Sequence, residues 1–202
     1  MTNDLQKRVI FGAIALAIFT PFLLAGGMAF QFFVGLLAMI ATAELVKMRR
    51  LAPNSIEGVL AMLASLVLTL PLQNYLTFLP TDGNYTAYAI VVFLLLGATV
   101  FNIGRYNYSD VVFPIASSFY VGIGFHSLVL ARMDGLNKVF FALCLVWATD
   151  IGAYMIGRQF GRRKLLPKVS PNKTVEGFVG GILSAVVVAI IFLIVDKSLL
   201  AG

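Results

Sequence analysis

Long stretches without a charged residue constrain this chain more than any other feature. The first lies between Arg8 and Glu44 and contains 35 residues, which as one helix would be about 52 Å long at 1.5 Å per residue. A helix needs only about 20 apolar residues to cross a hydrocarbon core of roughly 30 Å. The stretch therefore predicts two spans separated at Gly26, although Pro21 can instead be a kink in one longer helix. The two predicted spans are Val9–Ala25 and Met28–Val46.

Five further apolar runs follow, and each is long enough to cross a bilayer once. They are Gly58–Thr81, Gly83–Gly104, Val111–Ala131, Val139–Gly157 and Gly177–Val195. With 60% hydrophobic residues, 12% charged residues and a mean hydropathy of +0.94, the chain has more apolar surface than a soluble domain of this size can bury. We predict an all-α, polytopic helical membrane protein with about seven transmembrane helices, forming a single domain over residues 1–202.

The lysines and arginines are distributed unevenly over the predicted loops. If the N-terminus is cytoplasmic, twelve of the fifteen lie on the cytoplasmic side, and such an excess is typical of cytoplasmic loops. We therefore predict a cytoplasmic N-terminus, an external C-terminus and a location in the plasma (inner) membrane. The net charge of +6 follows from this topology, so we expect no nucleic-acid partner.

Asp150 is an acidic residue placed deep in a predicted span. It precedes Arg158 by eight residues, which puts it about 12 Å from the end of the helix. Ionised carboxylates are costly at that depth and usually face an interior cavity or a partner. Asp150 is therefore a candidate functional residue, with a structural ion pair or a protonated, hydrogen-bonded acid as the alternative.

The next segment, residues 158–176, is predicted to be a cytoplasmic basic loop that binds the substrate. We expect Ser170 or Asn172 to cap the following helix and Pro171 to lie in its first turn. A helix N-terminus among cations is suited to phosphate. The alternative is that the cations only set topology and contact anionic lipid headgroups. The six cations are Arg158, Arg162, Arg163, Lys164, Lys168 and Lys173.

Glu176 adds a second carboxylate beside this proposed anion site. Carboxylates together with cations indicate Mg²⁺, which takes one or two protein carboxylates and completes its shell with water and substrate phosphates. The spacing is equally compatible with a simple pair between Glu176 and Lys173. His126 is the only histidine, which excludes a multi-histidine metal site, and we expect it to be a hydrogen-bonded interior residue.

Small residues recur every four positions on both sides of the basic segment. Such stripes let helix backbones approach closely, either within the chain or in a homodimer. They are Ala153, Gly157 and Gly161 on one helix, and Gly177 and Gly181 on the next.

The order of residues in this region resembles the CDP-diacylglycerol synthases, also called phosphatidate cytidylyltransferases, over about residues 117–181. The motifs are Asp150-x-Gly-Ala-Tyr-x-x-Gly-Arg158-x-Phe-Gly161, Lys164-Leu-x-Pro and Ser170-Pro-x-Lys173-Thr174-x-Glu176-Gly177. The resemblance implies a membrane enzyme that joins CTP and phosphatidate into CDP-diacylglycerol and pyrophosphate with Mg²⁺. It implies catalytic roles for Asp150, Lys173 and Glu176, with Asp150 and Glu176 at the metal. The implied substrate-binding residues are Arg158, Lys164, Ser170, Pro171, Asn172, Thr174 and Gly177.

Members of that family normally continue to a second signature rich in Lys, Asp and His-Gly-Gly, which this sequence does not contain. We therefore expect these residues to be about the N-terminal two-thirds of such an enzyme. Three alternatives remain open at this point. They are a non-catalytic membrane protein that binds lipid or assembles with a partner, a CTP-dependent lipid-alcohol kinase, and a transporter with Asp150 as its ion site.

Overall fold

The computed structural model describes residues 2–76, 83–101 and 108–195. In these ranges the chain forms seven α-helices and one two-stranded antiparallel hairpin, which confirms the all-α class. The helices are α1 Thr2–Ala25, α2 Gly27–Met48, α3 Ile56–Thr69, α4 Gly83–Phe101, α5 Tyr108–Asp134, α6 Leu136–Phe160 and α7 Val175–Val195; the strands are β1 Lys164–Leu166 and β2 Ser170–Thr174. By length and composition, α2, α5, α6 and α7 can each cross a membrane, whereas α1, α3 and α4 contain shorter apolar stretches.

The predicted break between the first two helices is confirmed. Gly26 has φ 64°, a left-handed conformation that favours glycine, whereas Pro21 lies inside α1 without ending it. The guanidinium of Arg132 donates hydrogen bonds to the carbonyl oxygens of Leu23, at 2.7 Å, and Leu24, at 3.1 Å. These are carbonyls of the last turn of α1, which have no partner within the helix.

The predicted span Gly58–Thr81 is wrong in its extent. The helix formed there, α3, has 14 residues and a length of about 21 Å. It ends because Pro71 disfavours helical geometry in the residue before it, and Leu70 is accordingly extended, with φ −79° and ψ 138°. The Asn84 side chain then donates to the carbonyl of Val67 at 3.2 Å and to that of Leu70. Residues 77–81 of the predicted span lie outside the described residues.

Contacts divide the chain into two compact units, Met1–Met133 and Asp134–Gly202. In the first unit, α2 and α3 pack through small and aliphatic side chains that include Val34, Ala38, Ala61 and Ala64, all fully buried. His126 lies in this unit with Nδ1 at 3.2 Å from the carbonyl oxygen of Thr69. The predicted hydrogen bond of His126 is confirmed, and its side chain is half-buried.

Glu57, in the first turn of α3, has no exposed surface. Neither of its carboxylate oxygens has a hydrogen-bond partner in the structure. A buried polar group without a hydrogen bond is costly, so we expect Glu57 to lower the stability of the first unit.

The second unit consists of α6, the β1–β2 hairpin and α7. The two helices approach backbone to backbone, since a Cβ atom on Gly177 would lie 2.7 Å from the Ala153 carbonyl oxygen and 3.0 Å from Cα of Gly157. Gly181 likewise faces Thr149 and Ala153. The small-residue stripes predicted from the sequence therefore pack against each other within one chain.

Candidate active site

The connection between α6 and α7 is a β-hairpin rather than the predicted loop starting at residue 158. Helix α6 continues to Phe160, and β1 then pairs with β2 in the register Lys164 with Thr174 and Leu166 with Ser170. A main-chain hydrogen bond of 3.0 Å from Val169 N–H to the Leu166 carbonyl closes the turn. The hairpin holds residues 170–174 beside the first turn of α7.

The prediction that Ser170 or Asn172 caps α7 is wrong. Both lie in strand β2, whose backbone pairs with β1, and the cap is Thr174. Its Oγ1 accepts a hydrogen bond of 3.1 Å from the Gly177 N–H, the usual bond from a capping hydroxyl to the third helical residue. Pro171, predicted for the first helical turn, is extended in the same strand.

Glu176 joins the two ends of the hairpin. Its Oε2 accepts hydrogen bonds from the main-chain N–H of Arg162, at 3.0 Å, and of Arg163, at 3.2 Å. The Val175 N–H donates to the Arg163 carbonyl at 2.9 Å beside it. The predicted alternative, a pair between Glu176 and Lys173, is not among the ion pairs of the described residues.

A cavity of about 630 Å³ opens within the second unit, between α6, α7 and the hairpin. Its polar lining comes from the second half of α6 and from β2, and its remaining walls are largely apolar. The polar lining residues near the hairpin are Arg158, Ser170, Asn172, Lys173 and Thr174. Asp150 also lines the cavity but comes earlier in α6. It lies about 10 Å from Gly157 along the helix axis, at 1.5 Å per residue.

The cavity brings together seven of the ten predicted site residues. These are Asp150, Arg158, Ser170, Asn172, Lys173, Thr174 and Gly177. Lys164, Pro171 and Glu176 do not line it. The sequence reasoning missed Tyr154 and Phe178, which do. Tyr154 stands four residues from both Asp150 and Arg158, on the same helix face, and this spacing is a signal that was present in the sequence.

Two groups in the lining are poised to contact a ligand. The carboxylate of Asp150 is exposed, and within the described residues it has no hydrogen bond or ion pair, so the structure gives it no protein partner. The Arg158 guanidinium reaches the Tyr154 hydroxyl at 3.5 Å and is otherwise open to the cavity. The cavity thus has a carboxylate, Asp150, in the middle of α6 and two cations, Arg158 and Lys173, near the hairpin. This combination suits a ligand that carries phosphate groups and a bound cation.

The two predicted metal ligands differ in their suitability for Mg²⁺. Asp150 offers a free carboxylate, and one protein carboxylate with water and substrate phosphates is a common Mg²⁺ arrangement. The Glu176 oxygens instead accept main-chain N–H groups outside the cavity lining. Among the described residues no three His, Cys, Asp or Glu side chains cluster as a metal site. The fit is therefore to a metal held largely by its substrate.

Comparison with known proteins shows that the sequence is similar to one enzyme family. The sequence model of the cytidylyltransferase family matches residues 6–200. The phosphatidate cytidylyltransferase of Staphylococcus saprophyticus is 40% identical over 190 residues, covering 94% of this chain and 72% of that protein. The phosphatidate cytidylyltransferases of Staphylococcus haemolyticus and Staphylococcus aureus strain COL are 39% and 35% identical over 189 residues, with the same two coverages.

Proposed function

The chain belongs to the cytidylyltransferase family, and from that premise we propose that it is a phosphatidate cytidylyltransferase, which converts CTP and phosphatidate into CDP-diacylglycerol and pyrophosphate. It is a nucleotidyltransferase of phospholipid biosynthesis and a membrane protein. The observation that carries the proposal is a cavity lined by two cations, Arg158 and Lys173, and one carboxylate, Asp150, between two apolar helices. Two phosphate-bearing substrates, one of them a lipid, require that combination of charge and apolar wall.

The reaction forms one bond and breaks one bond at the α-phosphorus of CTP. An oxygen of the phosphatidate phosphate attacks this phosphorus, and the bond to the oxygen bridging towards the β-phosphate breaks, so that pyrophosphate leaves. A phosphate monoester has a second pKa of about 6 and is already anionic at neutral pH. The protein therefore needs no general base, and its task is to hold two polyanions in line for reaction.

The cations of the cavity perform that task. Arg158 can hold two phosphate oxygens through its planar guanidinium, and Lys173 acts as a compact positive charge on strand β2. Both neutralise charge that the approach of the substrates would otherwise concentrate. The hydroxyl of Ser170 and the amide of Asn172 belong to the same lining and supply hydrogen bonds that orient the phosphates.

The apolar walls account for the lipid substrate. Phe178 and Ile182 line the cavity on the α7 side, and the outer faces of α6 and α7 are exposed and apolar. In our proposal the acyl chains of phosphatidate stay in the bilayer while its headgroup enters the cavity sideways. This route spares the enzyme the cost of extracting the lipid into water.

Mg²⁺ is part of the proposal and would be held by Asp150 together with phosphate oxygens and water. When bound, it neutralises phosphate charge and polarises the phosphorus–oxygen bonds. Glu176 supports the site by fixing the hairpin, since its oxygens are already engaged by the N–H groups of Arg162 and Arg163. A direct ligand role for Glu176 would require it to leave both.

The location of the site is a further part of the proposal. The excess of Lys and Arg on one side of the predicted spans supports a cavity that opens on the cytoplasmic side of the inner membrane. CTP is available on that side, because it is a cytoplasmic nucleotide.

We also propose a homodimer. Because the glycine stripes are occupied within the chain, the second copy would pack on the outer apolar faces of the helices. Crosslinking in native membranes tests this.

The test is an assay of the 202-residue chain in liposomes with Mg²⁺, phosphatidate and CTP labelled in either its α- or its γ-phosphate. We expect the α-label to enter the lipid product and the γ-label to leave as pyrophosphate. Lys173→Ala should abolish product, and Lys168→Ala, a cation outside the cavity lining, should not. Transfer of the γ-label to lipid would identify a lipid kinase instead and overturn the proposal.

A further inference from the structure

The cations of the basic segment fall into two sets. Arg158 and Lys173 line the cavity, whereas the other four do not. All four are exposed, and in the described part of the chain none is in an ion pair with a carboxylate. The second set consists of Arg162, Arg163, Lys164 and Lys168. Substrate binding in the cavity therefore does not explain why these four cations are there.

The turn of the hairpin carries two exposed aliphatic side chains, Leu166 and Val169, close in sequence to these cations. Leu166 is 58% and Val169 is 81% exposed, and the hydrogen bond between their main-chain groups holds them on either side of Pro167 and Lys168. Pro167 stands where proline favours a turn. Two aliphatic side chains held outward by a closed turn make an unfavourable contact with water. We name the four cations with Leu166 and Val169 the outer hairpin surface.

The position of this surface indicates what covers it. The hairpin joins the end of α6 at Phe160 to the start of α7 at Val175, and both helices are long and apolar enough to cross a membrane. The outer hairpin surface therefore lies at the edge of a bilayer. Exposed aliphatic side chains beside exposed cations match the acyl and headgroup layers of an anionic leaflet.

We infer that the outer hairpin surface binds anionic phospholipid, with Leu166 and Val169 among the upper acyl chains and the four cations on the phosphate groups. An acidic protein could pair with the four cations, but it would not explain why two aliphatic side chains are exposed at the tip of the hairpin. One consequence rests on the proposed function: anionic lipid, including phosphatidate, is concentrated beside the mouth of the cavity.

The test measures the depth of the hairpin tip and does not require enzyme activity. The chain with Cys144→Ser and Val169→Cys carries a nitroxide label and is placed in vesicles of phosphatidylcholine, with or without phosphatidylglycerol. Collision with oxygen reports exposure to acyl chains, and collision with a neutral nickel chelate reports exposure to water. We expect phosphatidylglycerol to increase the ratio of oxygen to nickel collisions several-fold.

Two variants make the test specific. Replacing Arg162, Arg163, Lys164 and Lys168 with Gln should remove the effect of phosphatidylglycerol, whereas replacing Lys47, Arg49 and Arg50 with Gln should leave it. A label at Ile191, on the outer side of α7, is the depth control and should not respond to lipid charge. A water-exposed tip in both vesicles, or shielding from both probes regardless of lipid, would overturn the inference. Loss of cytidylyl transfer would not affect this result.

Discussion

The carboxylate of Glu176 accepts a 3.0 Å hydrogen bond from the main-chain N–H of Arg162, 14 residues earlier in the chain. With the bonds from Arg163, it ties the exit of α6 to the entrance of α7 and so fixes the strand that carries Lys173. Glu176 therefore acts on the cavity from outside its lining, as a positioning residue.

Glu176→Gln should lower cytidylyl transfer several-fold while leaving the Mg²⁺ concentration dependence unchanged. The amide retains one acceptor oxygen but loses the charge that strengthens both bonds. Amide hydrogen exchange at residues 162 and 163 should become faster. A changed Mg²⁺ dependence with unchanged exchange would assign Glu176 to the metal instead.

Asp150→Asn should reduce Mg²⁺-dependent turnover and raise the Mg²⁺ concentration needed for half-maximal rate, because the amide is a poorer metal ligand than a carboxylate. The chain should fold normally, since Asp150 has no hydrogen bond or ion pair in the described residues. Rates over a Mg²⁺ titration, with circular dichroism as the folding control, check this. An unaltered titration would mean a structural role.

Thr174→Ala should destabilise the second unit by about 1 kcal/mol, the usual effect of losing a helix cap. Thr174→Ser keeps the hydroxyl that accepts the Gly177 N–H and is the matched control. Denaturant unfolding in detergent measures both variants. Equal losses for Ala and Ser would show that the methyl group, and not the cap, matters.

Gly177→Ala should cost about 1–3 kcal/mol, as overpacking does, because its Cβ would lie 2.7 Å from the Ala153 carbonyl oxygen. Backbone atoms cannot move aside as a side chain can, so α6 and α7 must separate. Gly97→Ala has open space around it and should be neutral or slightly stabilising. Thermal unfolding of the two variants provides the comparison.

Glu57→Gln should keep or increase the melting temperature. The wild-type carboxyl group is fully buried and neither of its oxygens is hydrogen-bonded, and the amide of glutamine has a similar shape and cannot carry a charge. Glu44→Gln is the control, because Glu44 is exposed and its pair with Lys47 contributes little. A marked fall in melting temperature for Glu57→Gln alone would show that the charge has a stabilising partner.

Local chemistry explains which expectations the structure confirmed. The helices could be predicted because apolar runs between charges have few alternatives to a helix in a membrane. The break at Gly26 could be predicted because glycine readily adopts the positive φ that this position has. The small-residue spacing of Ala153, Gly157 and Gly177 indicated close helix packing, and it occurs. One error, the extent of the span at Gly58, has a local cause in Pro71. The errors at Ser170 and Glu176 arise because partners in another segment of the chain decide the outcome.

The sequence by itself determined the membrane class, the seven helices of the described residues and seven of the residues that line the cavity, because hydropathy, glycine conformation and motif order are local properties. The structure shows four of these helices to be long and apolar enough to cross a membrane. Only the tertiary structure decided that Ser170 to Thr174 is a strand, since that segment gains its hydrogen bonds by pairing with β1. The same applies to Glu176, whose spacing from Lys173 suited an ion pair or a metal site. Its carboxylate instead meets the N–H groups of Arg162 and Arg163, which come within reach only when α6 and α7 pack side by side.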